Sequence, residues 1–331
     1  MMKKLINDPN NVVEEMMKGM AAAHHDVLKH VPDTAVLTRV ERTAGKVGIV
    51  SGGGSGHEPS HAGFVGKGML DAAVCGPVFT SPGPDQVLEG IKAADSGAGV
   101  LLVIKNYSGD VMNFEMAMEL AEMETITVDK VIVNDDVAVE DSTYTTGRRG
   151  IAGTVFVHKI AGAKAETGAP LAEVKASAEK AIRNVRSMGM ALSACTIPAA
   201  GKPGFEMAEN EMEIGMGIHG EPGIERTLLK TADEVAEELI SKILQDGVHK
   251  SGDEVAVMIN GLGSTPLMEL YILNGKVSDI LEEKGITVYK TFVGEYMTAI
   301  EMAGCSVSLL KLDDELKELL DAPAHTTAFR M

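Results

Sequence analysis

The 331-residue sequence predicts an α/β fold of two domains, each a mixed or mostly parallel sheet flanked by helices. Short β-branched runs alternate with stretches whose apolar residues recur at helical spacing, the pattern of strands joined through helices. The length suits two domains. The alternation breaks once, over two successive helical patterns, and then resumes, which marks a boundary.

Residues 11–31 place Val13, Met16, Met17, Met20, Val27, Leu28 and Val31 at helical spacing, and Asn11 with Glu14 has the spacing of a capping box, so one amphipathic helix is expected there. Residues 46–50, 71–74, 99–104 and 130–133 read as buried strands, with helices at 85–95 and 111–124 between them. The helical patterns at 153–167 and 171–185 contain no strand, which divides the chain into 1–185 and 186–331. Strands are then expected at 192–196, 212–216, 254–259, 287–292 and 306–312, with helices at 232–245, 266–273 and 313–320.

Composition excludes several function classes. A net charge of −18 repels polyanions and anionic bilayers, which argues against nucleic-acid or membrane partners and leaves small uncharged ligands open. Twenty Met and 36 Gly, with no Trp, imply an aliphatic and thioether core joined by tight turns. Cys75, Cys195 and Cys305 form no paired motif, and the basic start (Lys3, Lys4) lacks the apolar stretch of a signal peptide, so a cytoplasmic location is expected. Asn106-Tyr107-Ser108 spells a glycosylation sequon, which means nothing without secretion.

The strongest local signal is Ser51-Gly52-Gly53-Gly54-Ser55-Gly56-His57-Glu58-Pro59, which directly follows a strand. Ligands of α/β sheets sit outside the carboxyl ends of strands, where a glycine loop can turn backbone N–H groups toward ligand oxygens. The run fits neither the dinucleotide fingerprint nor the phosphate loop, since no Gly-Lys pair precedes Ser or Thr. His57-Glu58-Pro59-Ser60-His61 spells the H-E-x-x-H string, but that chemistry needs a continuous helix and Pro59 opposes one at Glu58, so no metal is expected. Asp110 follows the strand at 99–104 and stands where a helix begins. It serves either as that helix's cap or, beside His57 and Lys105 at one sheet edge, as half of an acid/base pair. His219 lies between glycines past a strand, a setting equally suited to a ligand contact and to a structural histidine.

Seven blocks in order resemble the dihydroxyacetone-binding subunit of bacterial dihydroxyacetone kinases of the phosphotransferase-linked type: residues 51–59, 76–82 with 85–86, 105–110, 147–154, 217–223, 260–263 and 311–316. The resemblance implies that His219 attacks the C2 carbonyl of dihydroxyacetone to form a hemiaminal. It implies that Gly54, Ser55, Gly56, Lys105 and Asp110 hydrogen-bond the ligand with Ser81 nearby, and that His57 and Asp110 handle the proton of the attacking hydroxyl, His57 as general base. No cofactor is expected on this chain. ADP or ATP with magnesium is expected on a separate nucleotide-binding subunit, recharged by a multiphosphoryl phosphotransferase subunit, and the chain itself is expected to be a homodimer. Two other readings are a dihydroxyacetone sensor that assists a transcription regulator, which would not need His57 and Asp110, and a metabolite- or lipid-binding protein without chemistry.

Overall fold

The structure, a computed structural model, describes residues 3–139 and 147–331. Its first half contains α1 (Val12–Ala23), β1 (Leu28–His30), β2 (Val36–Arg39), β3 (Gly48–Ser55), β4 (Gly66–Lys67), β5 (Ala72–Val78), α2 (Pro84–Ala94), β6 (Val100–Lys105), α3 (Ser108–Met123) and β7 (Val128–Val133). It continues through α4 (Thr154–Glu166), α5 (Leu171–Asn184), β8 (Val185–Ala191), β9 (Glu211–Ile214), β10 (Glu225–Leu228), α6 (Ala232–Gln245) and β11 (Glu254–Gly261). The last elements are α7 (Leu267–Glu283), β12 (Thr287–Gly294), β13 (Gly304–Leu312), α8 (Asp314–Asp321) and β14 (His325–Thr326).

Two six-stranded sheets result, ordered β1-β2-β5-β3-β6-β7 and β10-β9-β8-β13-β11-β12. In the first, β5, β3, β6 and β7 run parallel, and the β1–β2 hairpin extends the edge antiparallel. In the second only β11 and β12 are parallel. Every residue of β6 is buried, as a strand covered on both faces requires. The cover on one side is α2 and α3, whose Val87, Ile91, Phe114 and Ala117 meet Val50 and Leu102. On the other side lies α4, buried almost all round, a helix enclosed between layers. One core runs from Ile49 and Val103 of the first sheet through Phe156 and Ile160 of α4 to Met258 and Leu310 of the second. The far face of the second sheet packs on α6 and α7 through Leu239, Ile243, Leu273 and Val277.

Three expectations are corrected. The opening helix stops at Ala23, because residues 24–31 turn back and Leu28 pairs with Arg39 in β1, so the apolar positions at Val27, Leu28 and Val31 serve a strand edge. The glycine run is strand rather than loop, since β3 extends through Ser55. Its glycines are needed by close neighbours: a Cβ on Gly52 would lie 2.5 Å from the Val74 carbonyl oxygen. The strand expected at 192–196 lies earlier, as β8 from Val185 to Ala191, placed there by its pairing with buried β13. The hairpin strands β1 and β2 and the edge strand β10 had no counterpart in the sequence reading, and α7 runs ten residues beyond the expected 273, to Glu283.

Candidate active site

Because β5, β3 and β6 are parallel neighbours, their carboxyl ends open on one edge of the first sheet. Strand β3 delivers Gly54, Ser55, Gly56 and His57; β5 leads to Phe79, Thr80 and Ser81; β6 ends at Lys105, and Asp110 occupies the first turn of α3. The second sheet contributes His219 from the connection between β9 and β10. A Cβ on Gly54 would come within 2.5 Å of the Thr80 amide nitrogen, so only glycine lets β3 pass the turn after β5 this closely.

His57 is wholly buried, with Nδ1 2.7 Å from the Thr298 carbonyl oxygen. A carbonyl can only accept, so Nδ1 carries the proton and Nε2 keeps its lone pair, with no hydrogen-bond partner among the described residues. Burial first, then the neighbouring His219 and Lys105, which would repel a second positive charge, lowers its pKa well below 6.5 and keeps it neutral. The ring stacks on Phe79 at 4.9 Å and meets His219 edge-on at 4.7 Å.

His219 is held through its other side. Glu221 accepts from Nδ1 at 2.7 Å and from the His219 backbone N–H at 2.9 Å, which assigns the proton to Nδ1 and leaves the Nε2 lone pair free. Burial resists ionisation of Glu221, yet His219 and Arg149 bring its pKa down to about 2. Phe79 and Tyr107 box the imidazole edge-on at 5.3 and 4.6 Å. Fully buried Lys105 places Nζ 3.7 Å from Asp110 Oδ2 and 5.1 Å from the Tyr107 ring centroid. These groups border a cleft of about 520 Å³ lined by Gly54, Ser81, Asp110, His219 and Glu221, among others. The chemistry on offer is one imidazole oriented by a carboxylate with its Nε2 turned free, one neutral base, and a buried Lys–Asp pair to bind hydroxyls.

Residues 18–328 match the family model described as the Dak1 domain. The chain belongs to the Dak1 domain family. It is 55% identical over 329 residues, 99% of this chain and 100% of the relative, to a Listeria innocua protein named PTS-dependent dihydroxyacetone kinase 1, dihydroxyacetone-binding subunit DhaK. The native crystal structure of the dihydroxyacetone kinase of C. freundii superposes with a TM-score of 0.92 at 35% identity, covering 100% of this chain and 60% of that one. The dihydroxyacetone kinase operon co-activator Dha-DhaQ superposes at 0.90 with 36% identity, covering 95% and 97%.

In this Dak1 chain Gly54, Ser81, Asp110 and His219 line the cleft, while His57 and Lys105 stand directly behind it. Ser55 and Gly56 are not among the lining residues: the Ser55 hydroxyl donates to the Gly76 carbonyl at 2.7 Å, and the Gly56 N–H donates to the Glu58 carboxylate at 3.1 Å. His57 and His61 sit in a non-helical turn, and His61 faces Ser51 at 3.3 Å rather than the cleft. Among the described residues no group of three or more His, Cys, Asp or Glu is placed to hold a metal, and no helix is long and apolar enough to cross a membrane. The sequence reading passed over Phe79, Tyr107, Glu221 and Thr298. Glu221 had one usable signal, its position two residues from a glycine-flanked histidine.

Proposed function

We propose that this chain is the dihydroxyacetone-binding subunit of a phosphotransferase-dependent dihydroxyacetone kinase, that His219 traps the substrate as a hemiaminal, and that His57 with Asp110 handles the proton of the hydroxyl to be phosphorylated. The observation that carries this reading is the pair of histidines 4.7 Å apart, each committed through Nδ1 to a fixed acceptor and so left with a lone pair at Nε2.

The Nε2 lone pair of His219 forms the C–N bond at C2, and the carbonyl π pair moves onto oxygen, which takes a proton from solvent. The positive charge left on the imidazole is balanced by Glu221. Only a carbonyl compound can do this, so glycerol is rejected by chemistry rather than by shape. The adduct fixes the terminal hydroxyl, replacing a loose encounter with a positioned one. Asp110 and Lys105 hold that hydroxyl, and the neutral His57 accepts its proton as the oxygen attacks phosphorus.

Phosphoryl transfer needs a nucleotide cradle, and the sequence offers no phosphate loop for one. ADP or ATP with magnesium therefore belongs to the partner subunit, a phosphotransferase component recharges it, and the Dak1 chain acts as a cytoplasmic homodimer. The likeness to an operon co-activator supports a second reading, a dihydroxyacetone sensor. The buried base and its Lys–Asp neighbours favour the kinase, because a sensor requires only the trap.

Asp110→Asn tests the division of labour. Adduct formation, read by mass spectrometry, stays within about threefold of wild type, while turnover reconstituted with a nucleotide-binding subunit falls by roughly 10²-fold or more. Full turnover in the variant removes Asp110 from the chemistry.

A further inference from the structure

The block Gly147-Arg148-Arg149-Gly150 has no part in the mechanism above, yet it places a wholly buried guanidinium beside the trap. Arg149 Nε donates to Asp136 Oδ2 at 2.8 Å, and its Nη2 lies 2.7 Å from the same oxygen and donates to the Gly215 carbonyl at 2.8 Å. The two residues are also joined through the backbone, the Asp136 N–H donating to the Arg149 carbonyl at 3.1 Å. The remaining nitrogen, Nη1, is buried without a hydrogen-bond partner among the described residues. It points into the space above Gly217, and so does Glu221 Oε2: a Cβ on Gly217 would lie 2.7 Å from the first and 2.1 Å from the second.

Such a guanidinium is expensive to bury unless its charge is used. One carboxylate, Asp136, already satisfies one edge, and the other edge faces Glu221 across the gap above Gly217 without closing an ion pair, so it acts on that carboxylate through its charge. With His219 neutral, Asp136, Arg149 and Glu221 together carry one net negative charge. Once His219 has attacked a carbonyl its imidazole is positive, and the buried group becomes neutral. The array is thus completed by the trapped state.

We infer that Arg149, anchored by Asp136, is a positioning residue for the carbonyl trap: it fixes the Glu221 carboxylate, which in turn fixes the proton on His219 Nδ1 and the lone pair on Nε2. Gly217 is part of the device, because any side chain there would push the carboxylate and the guanidinium apart. The inference rests on the reading of His219 as the nucleophile.

The test titrates dihydroxyacetone against the full chain by native mass spectrometry in wild type, Arg149→Met, Arg149→Lys, Glu221→Gln and the Arg149→Met/Glu221→Gln double variant, with circular dichroism confirming the fold. Long-range ¹⁵N correlation of the His219 ring reports its tautomer. Arg149→Met is expected to weaken the adduct about tenfold and to mix the His219 tautomers, as loss of an orienting outer group does elsewhere. Arg149→Lys restores part of the loss, and the double variant is no worse than Glu221→Gln, because both act through one carboxylate. A folded Arg149→Met that traps like wild type with an unmixed tautomer overturns the inference, as do losses that multiply in the double variant. If Arg149→Met fails to fold, Arg149→Lys and Asp136→Asn carry the same comparison against Glu221→Gln. A wild-type chain that forms no adduct sinks the trap itself, and the inference with it.

Discussion

Mild acid is predicted to destabilise the fold through histidines that cannot take up protons. Burial first, with nearby positive groups second, holds His158 at about 3 and His249 at about 4, and holds His57 and His61 well below 6.5. In the unfolded chain each titrates near 6.5, so below that pH the unfolded state binds protons that the native state refuses, and stability falls as pH falls. By pH 5 the loss is about 2 kcal/mol each for His158 and His249, from 1.5 pH units at ~1.4 kcal/mol per unit. His57 and His61 act in the same direction. Asp136, raised by burial to about 6 against the pull of Arg149, opposes them by taking up a proton in the native state, which returns about 1 kcal/mol by pH 5. Asp135 and Glu58, also raised by burial, act with it. Urea unfolding at pH 7, 6 and 5, followed by far-ultraviolet circular dichroism because the chain has no Trp, measures the sum. His158→Leu isolates one contribution, since among the described residues neither ring nitrogen of His158 has a hydrogen-bond partner to orphan. The variant should lose about 2 kcal/mol less than wild type between pH 7 and 5. Parallel pH curves for the two chains, or a wild type that gains stability in acid, would refute the reasoning.

Two further outcomes are expected. Gly54→Ala drives a methyl to 2.5 Å from the Thr80 amide nitrogen and 2.7 Å from the Phe79 carbonyl carbon, so it costs about 1–3 kcal/mol of stability and disorders the cleft wall. Calorimetric unfolding and dihydroxyacetone titration both read it, and unchanged values in both would show that the turn yields freely. On the proposed roles His57→Asn removes the base but not the nucleophile, so the adduct is expected to persist while reconstituted turnover drops by about 10²–10⁴-fold; equal losses in both would assign His57 to binding instead.

Much of the fold was legible because long buried strands and amphipathic helices carry their own periodicity. Strand β6, every residue buried, and α6, expected at 232–245, follow directly from sequence, whereas the capping box read at Asn11 and Glu14 does not form, since Asn11 makes no side-chain cap hydrogen bond and the box sits instead at Thr231 and Glu234. The misplacements share a cause, tertiary pairing that local spacing does not record. Val27 and Leu28 fit a helix as well as an edge strand, and only the Arg39 partner decides between them. The glycines after Ser51 looked like a ligand loop because glycine usually signals turns. Here they thin a strand so that Val74, Phe79 and Thr80 can approach it. In the site, His57 and His219 stood out by their glycine setting, but what makes them chemically distinct did not. The Thr298 carbonyl lies 241 residues from His57 and accepts the hydrogen bond from its Nδ1, and no local pattern announces such a contact. Glu221, two residues from His219, was within reach of the reading, and its role became evident only from the two hydrogen bonds it accepts.

The carbonyl trap is the claim on which the rest depends, and native mass spectrometry of the purified chain tests it most directly. Wild type and His219→Ala are each mixed with dihydroxyacetone or with glycerol. The trap predicts a one-ligand shift for wild type with dihydroxyacetone alone, lost or greatly weakened in the variant; no shift, or a shift indifferent to His219, would contradict it.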